Sequence, residues 1–542
     1  MKINKFRLFL SDTTTLLIYH ITAMKYITIL ILTVSIFFFT SFQFEKGNKV
    51  LSINEVTIET GIISGMQGKD VSVKIFKGIP FAAAPVGNLR WRPPVAAATW
   101  AGIRKCNVFS PSAMQNKPLP FAMWTKEFMA PQEPLSEDCL YLNIWSAAKR
   151  SDEKRPVIVW IHGGAFTGGS GSVPLYDGET MAKKGVIFVT INYRLGIFGF
   201  LAHPNLSAES DMNVSGNYGI LDQIAALQWV KRNIEAFGGD PMRVTIAGQS
   251  AGAFSVNALM VSPLAKGLFQ RAIAHSGGML SSDPARNQRL EDAEKAGLKI
   301  AELVNAKSIN ELRSKSAEEL LKAGGRWSIT TDGYVILPAY TTYANGNHND
   351  VPLLTGWNAD DGVSFGSSPT AESFKAEAIS KYNSKAVDFL KVFPATNDEE
   401  AKQSSKLSSQ LTFGWLNYCW AAMHSDKGKN KAYLYYFKRV PPGLPNYGAF
   451  HSAEFGYTLG TLSLWNKPWE PWDYKLSEIM TSYWVNFAAI GNPNDANLPN
   501  WPAFDKTNLR VMIFGDNVTS GEVPHKRQLD VLDSIHAAGM FK

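Results

Sequence analysis

One stretch constrains the fold more than any other: Arg243 to Ala253, Arg-Val-Thr-Ile-Ala-Gly-Gln-Ser-Ala-Gly-Ala. Val244 to Ala247 is uncharged and small or β-branched, and reads as a short buried strand. Gly248-Gln249-Ser250-Ala251-Gly252 follows, and then Ala253 to Met260, helical in period and composition. A strand that passes into a helix through G-x-S-x-G needs its two glycines, because side chains at those positions would collide in so sharp a turn. The turn lifts the Ser250 hydroxyl clear of the backbone and aims the helix N-terminus at whatever that hydroxyl attacks. Ser250 is therefore a candidate nucleophile. The rest of the chain must supply a base, an acid and donors for an oxyanion.

The strands around this turn predict the fold class. Pro156 to Ile161 is wholly apolar, as in a sheet covered on both faces, and Val186 to Ile191 repeats the pattern. Between Gly219 and Phe237, Ile220, Ile224, Leu227, Val230 and Ile234 recur at helical spacing, and Gly238-Gly239-Asp240-Pro241 ends the helix. Later strands are expected at Ala272–Ala274, Val351–Thr355 and Ala432–Phe437, with final helices near 476–490 and 528–537. Glu55 to Phe76 alternates like an opening antiparallel hairpin, and the charged stretches 286–323 and 367–410 read as helical excursions. Buried strands alternating with helices mean an α/β fold with a doubly wound, mostly parallel sheet. With no repeat, low-complexity tract or internal linker, residues 45–542 are expected to form one large domain.

Residues 1–44 read as an N-terminal extension and signal peptide. Tyr26 to Phe39 is a 14-residue uncharged run behind Met24 and Lys25, short for a membrane span and suited to a signal-peptide core. Met24 is the expected start, and the body is expected to be secreted or periplasmic, without stable membrane insertion after signal cleavage. Of the net charge of +7, Lys2, Lys5, Arg7 and Lys25 against Asp12 supply +3, and the rest is spread without basic runs. Nucleic acid is thus excluded as a partner class. Three cysteines (Cys106, Cys139, Cys419) allow at most one disulfide, and no pair of them has metal-ligand spacing. No cofactor and no metal are expected.

Downstream of Ser250, His348, His424, His451, His525 and His536 follow later strands. His451, in Tyr447-Gly-Ala-Phe-His-Ser-Ala-Glu-Phe455, is flanked by small residues in a loop after the strand ending at Phe437, where such sites gather. An acid should follow an intervening strand, and Gly356-Trp-Asn-Ala-Asp-Asp-Gly362 offers both Asp360 and Asp361. Spacing does not separate the two. For the oxyanion, Ala251 gives one backbone N–H, and the glycine turn His162-Gly163-Gly164-Ala165 after a buried strand gives the others.

At this point the chain resembles the type-B carboxylesterases. The resemblance is carried by Phe76-x-Gly-Ile-Pro-Phe-Ala, Arg90-Trp-Arg-Pro-Pro, Ser136-Glu-Asp-Cys-Leu-Tyr-Leu-Asn-Ile and Trp160-Ile-His-Gly-Gly-Ala-Phe166. It continues through Asn192-Tyr-Arg-Leu-Gly-x-Phe-Gly-Phe-Leu201, Gly216-Asn-Tyr-Gly-x-x-Asp222-Gln and Phe237-Gly-Gly-Asp-Pro241, then Gly491-x-Pro-Asn494. It implies an α/β-hydrolase fold with helical insertions and a serine carboxylester hydrolase acting on small to medium esters. By the same resemblance Ser250 is the nucleophile, His451 the base, Asp361 the acid, and the N–H groups of Gly164, Ala165 and Ala251 the oxyanion hole. It also implies buried pairs Arg90–Glu137 and Arg194–Asp222, and it leaves a Cys106–Cys139 bridge open.

Two positions depart from the family pattern: Asp361 stands where most members have Glu, and Gln249 where many have Glu. The second removes a negative charge beside the serine and argues against cationic choline esters. A lipase or amidase with the same triad, or a catalytically dead binding module on this fold, are the rival expectations. Specificity is expected in 112–135, 325–335 and 363–415, with Phe121, Trp124, Trp327 and Trp415 as candidate aromatic lining.

Overall fold

The computed structural model describes residues 50–280, 288–362 and 369–540. The apolar run Tyr26–Phe39 and the expected signal peptide lie outside them. The strands of the central sheet are β1 (Met66–Gln67), β2 (Lys74–Pro80), β3 (Tyr141–Ser146), β4 (Arg155–Ile161), β5 (Ile187–Ile191) and β6 (Gly239–Gln249). They continue as β7 (Arg271–His275), β8 (Leu353–Asn358), β9 (Ala432–Phe437), β10 (Arg510–Phe514) and β11 (Val518–Glu522). These eleven strands lie in the order β11-β10-β9-β8-β7-β6-β4-β5-β3-β2-β1. From β4 to β10 every neighbouring pair is parallel, and antiparallel strands finish both edges.

The reason is legible in the side chains. β4, β5 and β8 are buried on both faces, so water is absent from both sides and their apolar runs need no alternation. Helices supply the cover: α1 (Tyr218–Asn233), α2 (Ala251–Val261), α3 (Leu290–Leu303), α4 (Ala371–Tyr382), α5 (Asp398–Lys427), α6 (Pro471–Ile490) and α7 (Lys526–Met540). Two large apolar clusters result. One contains Val157, Val159 and Ile161 of β4 with Leu227, Val230 and Val256 of α1 and α2. The other contains Ile158 and Trp160 of β4 with Met480, Trp484 and Phe487 of α6. Successive β4 residues thus feed opposite layers, as the twofold strand period requires.

The expected opening hairpin is present as Val56–Ile58 paired antiparallel with Gly61–Ser64, and it forms a small separate sheet with Ile103–Lys105. Residues from Val50 onward cluster into a single compact unit. Among the described residues no helix is long and apolar enough to cross a membrane.

Cys106 and Cys139 form no bridge, and all three cysteines are free and buried. Cys106 is held by backbone bonds to Ser64 and Lys77, whereas Cys139 shares a small cavity with Ala113, Arg194 and Glu137. Alanine, with no sulfur to offer, stands beside Cys139. The two expected buried ion pairs are present. Arg194 Nε and Nη2 donate to Asp222 at 2.8 and 2.7 Å, and Arg90 Nε donates to Glu137 at 2.7 Å.

Candidate active site

Ser250 joins β6 to α2 with φ 54° and ψ −123°. An L-residue held in this left-handed region stores about 1–3 kcal/mol of strain. The flanking glycines are obligatory for a measurable reason. A Cβ on Gly248 would lie 2.5 Å from the Gly252 carbonyl, and one on Gly252 would lie 2.0 Å from the Ile161 carbonyl oxygen. Both obstacles are backbone and cannot yield. The turn is pinned from the neighbouring strand, because the Ser250 N–H donates to the His275 carbonyl at 2.9 Å.

The glycine turn after β4 comes up against this elbow. A Cβ on Gly163 would meet the Gln249 carbonyl at 2.7 Å and Ser250 Cβ at 3.2 Å. Gly164, Ala165 and Phe166 all have positive φ (114°, 55° and 59°), a run of left-handed backbone that makes the turn tight. The Gly164 carbonyl accepts from Thr167 and Gly168, both at 3.0 Å, which closes the turn. His162 braces it from behind. Its Nδ1–H donates to the Gly163 carbonyl at 2.8 Å, and its ring stacks on Tyr193 with centroids 4.4 Å apart. Burial pushes the His162 imidazole down to about 4, so it is neutral at neutral pH. Ala251, first residue of α2, has one of the N–H groups that a helix start leaves without an internal acceptor.

His451 and Asp361 come from loops after β9 and β8 and meet over the same end of the sheet. His451 Nδ1–H donates to Asp361 Oδ1 at 2.6 Å, and the carboxyl is fully buried. The other Asp361 oxygen accepts the Asn358 N–H at 3.0 Å. Asp360 is engaged elsewhere, accepting from Gln410 Nε2 and from the Ala449 N–H, each at 2.9 Å. Geometry thereby separates the two carboxylates that spacing could not. With its Nδ1 protonated, His451 presents a lone pair on Nε2. Among the described residues the partner of that nitrogen is the Gln249 side-chain amide, 3.0 Å away, and not the Ser250 hydroxyl. Phe413 stacks on the His451 ring at 4.6 Å, and Trp124 meets it edge-on at 6.5 Å.

A second, deeper layer was not anticipated from sequence. His275, at the end of β7, has its Nδ1 3.2 Å from Glu454 Oε1 and accepts from Trp484 Nε1 at 2.9 Å. Asn358 Nδ2 donates to Glu454 at 2.5 Å and to the Phe450 carbonyl at 2.8 Å. These groups are buried and tie the His451 loop to β8, which leads to Asp361, and to β7, the neighbour of the strand that leads to Ser250. Glu454 lies three residues after His451, a charge in an otherwise small and apolar run, which was the available signal. The other candidate histidines stand apart: His536 stacks on Trp415 at 3.9 Å, and His348 and His424 face each other at 5.1 Å. Trp415 therefore packs against the C-terminal helix, and Trp124 and Phe413 are the aromatics beside His451.

A doubly wound sheet with a serine at a strand-to-helix elbow, and a histidine–carboxylate pair over the same edge, defines the α/β-hydrolase fold. Solved structures agree: a PNB esterase superposes with a TM-score of 0.78 at 31% identity, covering 89% of this chain and 99% of that one. A thermophilic PNB esterase gives 0.77 at 30% identity, covering 89% and 100%. Residues 52–532 match the profile of the carboxylesterase family. The chain is 37% identical over 486 residues to the fumonisin B1 esterase of Sphingopyxis macrogoltabida, covering 86% of this chain and 87% of that protein. It is 34% identical over 500 residues to the para-nitrobenzyl esterase of Bacillus subtilis (strain 168), covering 87% and 97%. The chain belongs to the carboxylesterase family, and it is a carboxylic ester hydrolase.

Proposed function

We propose that Ser250, His451 and Asp361 act as a catalytic triad that hydrolyses small to medium carboxylic esters through an acyl-enzyme. The observation that carries this reading is the 2.6 Å hydrogen bond from His451 Nδ1 to a fully buried Asp361. That bond fixes the tautomer whose Nε2 can take a proton, and the buried carboxylate stabilises the imidazolium that results.

Ser250 Oγ attacks the ester carbonyl as its proton passes to His451 Nε2. The N–H groups of Gly164, Ala165 and Ala251 receive the oxyanion, a role supported by the close approach of the glycine turn to Ser250. The imidazolium then protonates the departing alcohol, and water, deprotonated by the same nitrogen, releases the acid. Gln249 holds Nε2 before substrate arrives, so its amide must give way to the serine hydroxyl in the productive complex. The neutral amide also makes the surroundings of Ser250 less anionic than a Glu would, which disfavours cationic alcohols.

The test is hydrolysis of p-nitrophenyl acetate and butyrate by the wild type beside Ser250→Ala and Asp361→Asn. Ser250→Ala is expected to fall to background, and Asp361→Asn to lose about 10⁴-fold in kcat through the wrong tautomer. A wild type that turns over these esters while a fluorophosphonate labels some residue other than Ser250 would sink the assignment. Faster turnover of emulsified long-chain esters than of butyrate would replace the substrate class with lipids.

We also propose that residues 1–44 are an extension and signal peptide, with translation from Met24 and export of one domain over 45–542. The charge-free run behind Lys25 supports it. N-terminal sequencing of the exported protein tests this, and an intact Met24 on the mature chain would overturn it.

A further inference from the structure

At the opposite end of β8 from Asp361 lies a group of polar side chains that the esterase chemistry does not use. His348 and Asp350 sit in the turn that leads into β8, and His424 sits in the last turn of α5. Both imidazoles are completely buried, at 0% side-chain exposure, and none of their four ring nitrogens makes a hydrogen bond of good geometry, although the Asn430 backbone comes within reach of His424. Buried polar atoms are nearly always satisfied, so two adjacent rings with no well-formed hydrogen bond point to a missing partner. Asp350 Oδ1 faces both rings, 3.9 Å from His348 Nε2 and 3.8 Å from His424 Nε2.

We propose that His348, Asp350 and His424 bind a divalent transition metal, with Zn²⁺ the best fit, as a structural staple. The three donor atoms all lie within 4.8 Å of one another, and among the described residues this is the one such cluster. Tetrahedral zinc with bonds near 2.1 Å sets its donors about 3.4 Å apart, so the two Asp350 distances of 3.9 and 3.8 Å need to shorten by about 0.5 Å and the widest pair by up to about 1.4 Å, within reach of side-chain rotation. Two imidazoles and one carboxylate match borderline zinc and not the all-oxygen sites of Ca²⁺ or Mg²⁺.

The frame around the donors is built. Asp350 is oriented by the N–H groups of Lys429 and Asn430 at 2.7 and 3.3 Å, and the His348 ring stacks on Tyr343 at 4.2 Å. Such outer contacts hold first ligands in place. A cleft lined by His348, Asp350, Pro263 and Asn430 runs beside the donors, so a small side-chain displacement would admit the ion and a water as fourth ligand. The absence of metal expected from the cysteines had no bearing here, because the ligands are histidines 76 positions apart brought together by a helix and a strand.

The staple would join three pieces. Between the two ligands of the β8 turn, Asn349 donates from its backbone to the Met260 carbonyl at 2.7 Å and from its side chain to Leu259 and Ser262. The site therefore links the far end of the Ser250 helix α2, the start of β8 and the end of α5. It acts on stability, because the chemistry lies across the sheet.

The test takes the full protein, strips it with EDTA and adds one equivalent of ZnCl₂ before gel filtration. The expected result is one zinc retained per chain and a Tm raised by about 5 °C or more, lost in His424→Gln and in Asp350→Asn. Hydrolysis of p-nitrophenyl butyrate at 25 °C should change less than twofold. Co²⁺ added to the stripped wild type should give the intense visible bands of a tetrahedral ion, bleached by zinc. That readout stands even where a variant fails to fold. Retention of no metal, a weak octahedral Co²⁺ spectrum, or a zinc-dependent Tm shift that survives both substitutions would overturn the proposal.

Discussion

At the scale of single residues, Gln249 and Ser250 carry consequences that opposite measurements can read. Replacing Gln249 by Glu sets a carboxylate where an amide now meets His451 Nε2 at 3.0 Å. A neighbouring anion favours imidazolium, so the acid limb of kcat/KM should move upward by about one pH unit. An unmoved limb would show that Gln249 leaves Nε2 long before the proton transfer. Ser250 gives a stability reading, since its φ of 54° is a conformation glycine adopts without strain. Ser250→Gly is expected to be more stable than Ser250→Ala by about 1 kcal/mol, measured by urea unfolding. Equal stability would mean the elbow is unstrained. Ser250 was legible because a five-residue motif between a strand and a helix has few other uses. Asp361 was not separable from Asp360 by spacing, because adjacent residues in one turn share it. The choice lies in which carboxylate the Asn358 N–H and the His451 ring reach.

Elements show why the fold was easier to read than the site. β4, β5 and β9 announce themselves as apolar runs because both faces of the parallel sheet are covered, and their observed bounds differ from expectation by at most one residue. β6 runs five residues earlier than Val244, through a Gly-Asp-Pro that reads as a turn, and its pairing with β4 is irregular between Gly239 and Val244. α5 was foreseen only to residue 410 as a charged excursion. It extends to Lys427 because its second half, with Trp415, Leu416, Tyr418 and Trp420, is buried, and aromatic density there does not look like a surface helix. The junction of β4, β6 and α2 has the least slack. Gly252→Ala would press a methyl into the Ile161 carbonyl and lever α2 away from the sheet. The expected cost is about 3 kcal/mol or more, seen as a fall in Tm with loss of esterase activity. A Gly252→Ala enzyme of normal Tm would mean the helix can slide.

Over the whole molecule, acid should weaken the native state before its exposed carboxylates titrate. His162 is fully buried and held down to about 4, whereas in the unfolded chain it titrates near 6.5. Its folded value is the lower one, so the unfolded state binds the proton first. The stability it contributes is complete above about pH 6.5 and declines as pH falls toward 4, by up to about 3 kcal/mol. Urea midpoints measured at pH 7 and at pH 4.5 should differ accordingly, and His162→Asn should flatten the difference. A wild-type midpoint that stays constant over this window counts against a buried neutral ring.

The three thiols extend the view to how the enzyme can be made. Cys106, Cys139 and Cys419 are buried and unbridged, and burial raises all three above the ordinary thiol range. Low thiolate content and enclosure make them poor partners for exchange or oxidation. Maturation therefore needs no oxidase and no isomerase. The folded enzyme should be indifferent to dithiothreitol, and a reducing cytoplasm is a workable place to produce the body of the chain.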